Sequence, residues 1–358
     1  MKAAYYQGRR QLDVREAPDP EPGPNEALVR VAACGICGTD QHIFEGDFFP
    51  TYPLIGGHEL AGQVVALGPQ SVETVVREGD RVAVDPSLFC GSCFFCQRGQ
   101  GNHCLNWNAI GVTRDGGFAE YVVAPVANVY PVGEMPYEVA AFIEPISCVV
   151  YGLQRLRMPV GANALIYGAG PIGLLMLQLV AHSGASSVAV VDLHEDKLKV
   201  AQSLGAHEVV VGGPGADDAL RMISPLGFDV VVDCTGVPAV VEHMFTHVRR
   251  NGKLLFFGVN PSDATISISP FDVYQKDLEI FGSFALRYTF HDAFALLESG
   301  ALDVQPLLSD RFPIERFPEA LALAGSGDAF KVQIHPQSND LAGVDSARES
   351  QTEGSPRG

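Results

Sequence analysis

Asn163-Ala164-Leu165-Ile166-Tyr167 reads as a buried strand that runs directly into Gly168-Ala169-Gly170-Pro171-Ile172-Gly173, and an apolar helix follows from Leu174. A G-x-G-x-x-G run alone is a weak signal, but between a strand and a helix each glycine has a task. Gly168 permits a tight turn, Gly170 lets the backbone approach a pyrophosphate, and Gly173 allows close helix–strand packing. The helix that opens at Pro171 then offers free N–H groups, from Ile172 onward, to phosphate oxygens. A second strand, Ser187–Val191, ends at Asp192, roughly 20 residues on, where an acid accepts from a ribose 2′-hydroxyl and repels a 2′-phosphate. NAD is therefore expected over NADP. Further strands at 209–211, 228–234, 252–259 and 278–282 alternate with helices, which predicts a doubly wound parallel sheet with its ligand at the carboxyl ends of the strands.

The chain before this region is organised differently. Residues 1–31 read as short strands separated by the Pro-rich loop Pro18–Pro24, and strands are expected again at 61–68, 79–84 and 115–123, giving an all-β, barrel-like unit. Within it, Cys37-Gly-Thr39-Asp40-Gln-His42 precedes an aromatic run (Phe44, Phe48, Phe49, Tyr52) and then Gly57-His58-Glu59. A thiol and an imidazole suit zinc, and a catalytic zinc keeps one position open. Cys90, Cys93, Cys96 and Cys104 follow as C-x2-C-x2-C-x7-C, four thiolates able to close a tetrahedral structural zinc shell. An iron–sulfur cluster uses the same donors. His103 is expected to be a bystander, and Cys34 and Cys234 are expected to be packing residues.

The 358 residues suggest about two domains. A formal net charge of −18 argues against a nucleic-acid binder, which needs clustered Lys and Arg. No apolar run reaches the roughly 18 residues of a membrane span, and the start of the chain shows no signal core, so a cytoplasmic protein without membrane or nucleic-acid partners is expected. Residues 338–358, rich in Ser, Asp, Gly and Glu, read as a disordered tail.

Taken together, Gly57-His58-Glu59-Leu60-Ala61-Gly62 with Gly68, the Cys90–Cys104 lobe and the Gly168–Gly173 loop resemble the zinc-containing medium-chain dehydrogenases, and Glu144-Pro145 resembles their polyol (sorbitol dehydrogenase-like) branch. The resemblance implies an α/β chain with a GroES-like β-barrel catalytic domain (1–148 and 286–336) and a doubly wound Rossmann cofactor domain (149–285). It implies a catalytic zinc held by Cys37 and His58, with Glu59 or Glu144 completing the shell directly or through water. Cys148 competes for that place or is a packed thiol. Asp40 is expected to fix the His58 tautomer. Lys197 is expected to hold the adenosine ribose, and Thr235, Gly258 and Val259 to border the nicotinamide side of the cofactor. Thr39 is expected to relay the alcohol proton towards His42 and solvent, with a water beside Glu144 as the alternative base.

The implied reaction is oxidation of a secondary alcohol, a polyol, to a ketone by NAD, in a homodimer or homotetramer. L-threonine, glucose or a simple alcohol are alternative substrates, and a non-catalytic dinucleotide binder is a further alternative. The branch carries Phe-Arg-Tyr after the last cofactor-domain strand. Here Phe284-Ala285-Leu286 stands there, with Arg287 and Tyr288 displaced by two places.

Overall fold

The structure, a computed structural model, describes residues 1–47, 52–71 and 75–337. Phe48, Phe49 and the expected tail at 338–358 lie outside the described residues.

Six parallel strands form one sheet in the spatial order Glu208–Val211, Ser187–Asp192, Asn163–Tyr167, Phe228–Asp233, Val248–Phe256, Glu279–Gly282. The winding therefore reverses between Asn163–Tyr167 and Phe228–Asp233, the point where a ligand crevice opens in such sheets. Both faces are covered, so the central strands are apolar on both sides. Side chains alternate as strand geometry demands. Ala164 and Ile166 join Leu174, Leu177 and Val180 of helix Pro171–His182 in one core, while Leu165 and Tyr167 face Leu220, Val241 and Met244 in another.

The remaining strands are mostly antiparallel. One sheet runs Val129–Pro131, Arg81–Val84, Glu59–Leu67, Glu26–Gly35, Lys331–Ile334, Leu308–Phe312, with Tyr121–Pro125 also paired to Glu26–Gly35. A three-stranded sheet (Gln11–Glu16, Lys2–Gly8, Leu54–Ile55) shares its core through Tyr6, Val29, Val31, Leu60, Phe118 and Phe317. The returning strand places Ile334 opposite Cys34. The strand Leu308–Phe312 was missed in the sequence because its Leu-Ser-Asp-Arg-Phe composition is half polar and sits among prolines.

Helix Ile143–Leu156 ties the two parts together. It packs on Glu59–Leu67 on one side and on Val248–Phe256 and Glu279–Gly282 on the other. Gly152 makes this possible, since a Cβ there would meet the Phe257 ring at 2.7 Å. By length and composition Tyr137–Leu156 is apolar enough to cross a membrane, but 67% of it is buried inside the protein. Phe142, Ile143, Ile146 and Val149 are core residues, so the stretch is a central core helix.

Candidate active site and metal centres

The short helix Gly38–Glu45 begins just after Cys37, and Asp40 reaches back to accept from the Cys37 backbone N–H at 2.8 Å. That reciprocal cap satisfies a donor with no partner within the helix and fixes the Cys37 backbone. His58 and Glu59 enter from the start of strand Glu59–Leu67, next to Gly35 on the neighbouring strand. A ligand atom from each of Cys37, His58 and Glu59 lies within 4.8 Å of the other two. The donor set, thiol plus imidazole plus carboxylate, suits zinc, and His58 Nδ1 is buried without a hydrogen-bond partner.

Two expectations change here. Asp40 Oδ2 is engaged by Cys37, and neither its Oδ1 nor His58 Nδ1 has a hydrogen-bond partner, so the expected Asp40–His58 bond is not formed. Glu59 is held by a residue the sequence reading passed over. The Lys331 ammonium donates to both Glu59 oxygens, at 2.7 and 2.6 Å, and to the Ile36 carbonyl at 3.3 Å. Both side chains are buried. A lone lysine in the apolar strand Phe330-Lys331-Val332-Gln333-Ile334 was the available signal.

Glu144 sits in the first turn of helix Ile143–Leu156, 8% exposed. It is not one of the mutually close trio but faces it. Burial pushes its carboxyl up to about 8; His58 opposes the rise, and Glu59 and Cys37 add to it. Cys148, one helical turn on, donates its thiol to Glu144 Oε1 at 3.6 Å, and burial holds that thiol well above its ordinary range. Thr39 Oγ1 lies 3.8 Å from Cys37 Sγ. His42, three residues along the same helix, pairs through Nδ1 with Asp47 at 3.1 Å. Phe118 is fully buried in the core, and Trp107 packs on Phe284 with ring centroids 5.8 Å apart.

The four lobe cysteines also converge. Their sulfurs lie within 4.8 Å of one another, with Cys90–Cys96 and Cys93–Cys104 each at 4.0 Å. Four sulfurs about 2.3 Å from one zinc would stand roughly 3.8 Å apart. The backbone N–H groups of Cys90 and Asn106 donate to Cys104 Sγ at 3.4 and 3.3 Å. N–H groups of Ser92 and Cys93 draw Cys90 down to about 6, while burial and neighbouring thiols push Cys96 up to about 12. Four thiolates together therefore need a cation. His103 lies beside Phe284 and outside the set.

At the parallel sheet, Gly168 has φ +100°, open to glycine at little cost. No atom lies within 4 Å of where a Gly170 Cβ would sit, and a Cβ on Gly173 would collide with the Gly168 carbonyl. Asp192 stands at the neighbouring strand end. One oxygen accepts from Ala169 N–H at 2.7 Å and the other from His194 N–H at 2.9 Å, which leaves further lone pairs open. Thr235 donates through its N–H and hydroxyl to buried Asp233, at 2.9 and 2.6 Å. The Gly258 backbone packs against Gly236, and Val259 is exposed beside it. Lys197 is placed by helix Glu195–Ser203 with its ammonium 5.8 Å from the Phe330 ring centroid. Arg287 lies over Tyr151, 4.7 Å from its ring centroid, and Tyr288 meets Phe89 edge-on.

Residues 23–134 match the family model "Alcohol dehydrogenase GroES-like domain", and residues 171–299 match "Zinc-binding dehydrogenase". D-arabinitol dehydrogenase 1 of Uromyces fabae is 40% identical over 94% of this chain and 97% of its own length. The chain belongs to the zinc-containing medium-chain dehydrogenases, polyol branch. D-altritol 5-dehydrogenase of Agrobacterium fabrum strain C58 is 38% identical, over 88% of this chain and 93% of that protein. Among solved structures, a zinc-binding dehydrogenase from Sinorhizobium meliloti 1021 bound to NADP superposes with a TM-score of 0.89. It is 34% identical, covering 94% of this chain and 99% of that one. The family's two-part architecture, GroES-like and Rossmann, is the one described above, and the chain is an enzyme of the alcohol dehydrogenase kind.

Proposed function

We propose that this enzyme oxidises a secondary hydroxyl of a polyol to the ketone, with NAD as acceptor. The observation that carries the reading is the convergence of Cys37, His58 and Glu59 within 4.8 Å, faced by Glu144 from the helix that also packs on the cofactor sheet. The polyol class is supported by the relatives named for D-arabinitol and D-altritol. A zinc ion held by Cys37 and His58, with Glu59 or Glu144, would supply Lewis acidity to the alcohol oxygen, and the nicotinamide would accept the hydride. Cys90, Cys93, Cys96 and Cys104 would hold a structural zinc.

The protein's own groups handle the proton. The Thr39 hydroxyl, next to Cys37, can pass a proton along its helix face to His42, which contacts Asp47 through Nδ1. Glu144, buried in the first turn of helix Ile143–Leu156, is the competing base, directly or through a water beside it. Gly168, Gly170, Pro171, Ile172 and Gly173 would hold the pyrophosphate, Asp192 and Lys197 the adenosine ribose, and Thr235, Gly258 and Val259 the nicotinamide half.

The catalytic domain is 1–148 with 286–336, and the cofactor domain 149–285. The enzyme is a cytoplasmic homodimer or homotetramer. Support for assembly is the edge strand Glu279–Gly282 with exposed Ile280, Phe271 and Tyr274 nearby.

The test is NADH formation across pentitols, hexitols, L-threonine, glucose and primary alcohols, with and without a chelator. Polyols should turn over, and a chelator should abolish the activity. Turnover confined to L-threonine or to primary alcohols would defeat the polyol reading. Asp192→Ala should lower the NAD/NADP preference at least tenfold, and unchanged selectivity would remove Asp192 from that role.

A further inference from the structure

A third constellation of side chains suited to metal lies on the far face of the parallel sheet, remote in sequence from both centres described above. Asp217 is in the first turn of helix Ala216–Ile223, and His243 closes helix Pro238–His243. His247 follows after the single turn Met244–Thr246, four residues from His243. His243 Nε2 and His247 Nε2 both lie on one Asp217 oxygen, at 2.8 and 3.1 Å, and the two nitrogens are 3.4 Å apart. His247 is 3% exposed, while the side chains of His243 and Asp217 are each 42% exposed.

These three edges make a nearly equilateral triangle. Tetrahedral donors about 2.0–2.1 Å from zinc stand roughly 3.3 Å apart, so an ion at that distance from all three would sit about 1 Å off their plane. One face of the ion would then remain open. His243 also borders a cavity of about 550 Å³ together with Glu242, Ser269 and Lys276, so this edge of the cluster is open to solvent. The Tyr167 hydroxyl nearby is buried and has no hydrogen-bond partner among the described residues. The Tyr167 ring centroid is 6.5 Å from that of His247, and Asp217 acts on the phenol electrostatically.

We propose that Asp217, His243 and His247 form a third metal site, taking a borderline divalent cation such as zinc, with water in the open position. Two imidazoles and a carboxylate suit zinc, nickel or copper(II) over magnesium or calcium. The site joins two helices that cover the same sheet face but are separated by strand Phe228–Asp233 in sequence. A bound ion is a cross-link between them and stabilises the folded chain by mass action. It touches none of the residues assigned to the reaction.

The experiment compares full-length wild type with His243→Ala and Asp217→Asn. Each purified enzyme is dialysed against micromolar zinc and its metal measured per chain, alongside melting temperature and polyol turnover. Wild type should hold one more equivalent than either variant, and its melting temperature should rise with zinc in a way the variants lose. Affinity at this site should fall at least tenfold in His243→Ala, and turnover should be unchanged. Because the readout is a difference of one equivalent, it stands whatever the loading of the other two centres. Equal metal content in all three proteins, or an extra equivalent bound only at millimolar zinc, overturns the site. Should Asp217→Asn fail to fold, the half-exposed His243→Ala decides alone.

Discussion

Lys331 shows what one residue can contribute unseen. It meets Glu59 across 272 residues of sequence, and both are buried. A buried carboxylate beside a thiol and an imidazole is costly unless paired, and removing one member of such a pair typically costs about 3–5 kcal/mol. Lys331→Met should therefore lower the urea midpoint sharply, and adding Glu59→Gln should recover part of the loss. An additive double mutant would show that the two do not couple. Asp85 gives a pH signature. Burial pushes its carboxyl up to about 6, against an opposing N–H from Ser87. The folded state thus holds the proton more tightly than the unfolded chain. Stability should fall as pH rises from about 4 to about 6 and stay reduced above, by at most about 3 kcal/mol. Asp85→Asn should melt higher than wild type at pH 7.5 and level with it at pH 4. The four converging cysteines were legible because their spacing is local. The Lys331–Glu59 pair was not, because neither residue's neighbours hint at the other.

Among the elements, the loop at 168–173 separates two kinds of glycine. A Cβ at Gly173 runs into the Gly168 carbonyl, and one at Gly170 meets nothing within 4 Å. Gly173→Ala should destabilise the fold by about 1–3 kcal/mol, the usual cost of overpacking. Gly170→Ala should melt within about 0.5 kcal/mol of wild type yet weaken cofactor binding at least tenfold, measured by NADH fluorescence. Equal binding by Gly170→Ala would free that position of its assigned role. This element could be read from sequence because strand, turn and helix are contiguous. The helical apolar spacing of Ile143–Leu156 is legible in its own residues, Val149, Val150, Leu153 and Leu156. The packing of that helix on both sheets is not, since that depends on Gly152 receiving the Phe257 ring.

At the level of the whole molecule, the cysteine lobe is coupled to the cofactor half. Asn102 donates to the Phe284 carbonyl at 3.0 Å, and Trp107 and His103 pack on the Phe284 ring. Cys93→Ser should cost one zinc equivalent by metal analysis and lower the melting temperature, because a structural zinc contributes folding energy directly. A full complement of metal in that variant would count against the four-cysteine centre. The returning strand Lys331–Ile334 sits between Glu26–Gly35, to which it runs antiparallel, and Leu308–Phe312, to which it runs parallel. Phe330, Val332 and Ile334 alternate with polar residues as strand geometry asks, while the partners are fixed only by the topology.

The sequence alone determined the motifs whose parts are neighbours along the chain: the glycine turn, the four-cysteine lobe, the Cys37 and His58 donors, and the alternation that winds the parallel sheet. Short-range backbone geometry sets these, so a few adjacent residues suffice. The tertiary structure decided that Lys331 clamps Glu59, that Asp40 caps Cys37 rather than bonding His58, that Glu144 faces the trio, and that Asp217 meets two histidines. Except for the Asp40 cap, which turns on local side-chain geometry, each depends on strands and helices far apart in sequence being packed side by side, and burial then makes every unpaired polar atom costly enough to fix its partner.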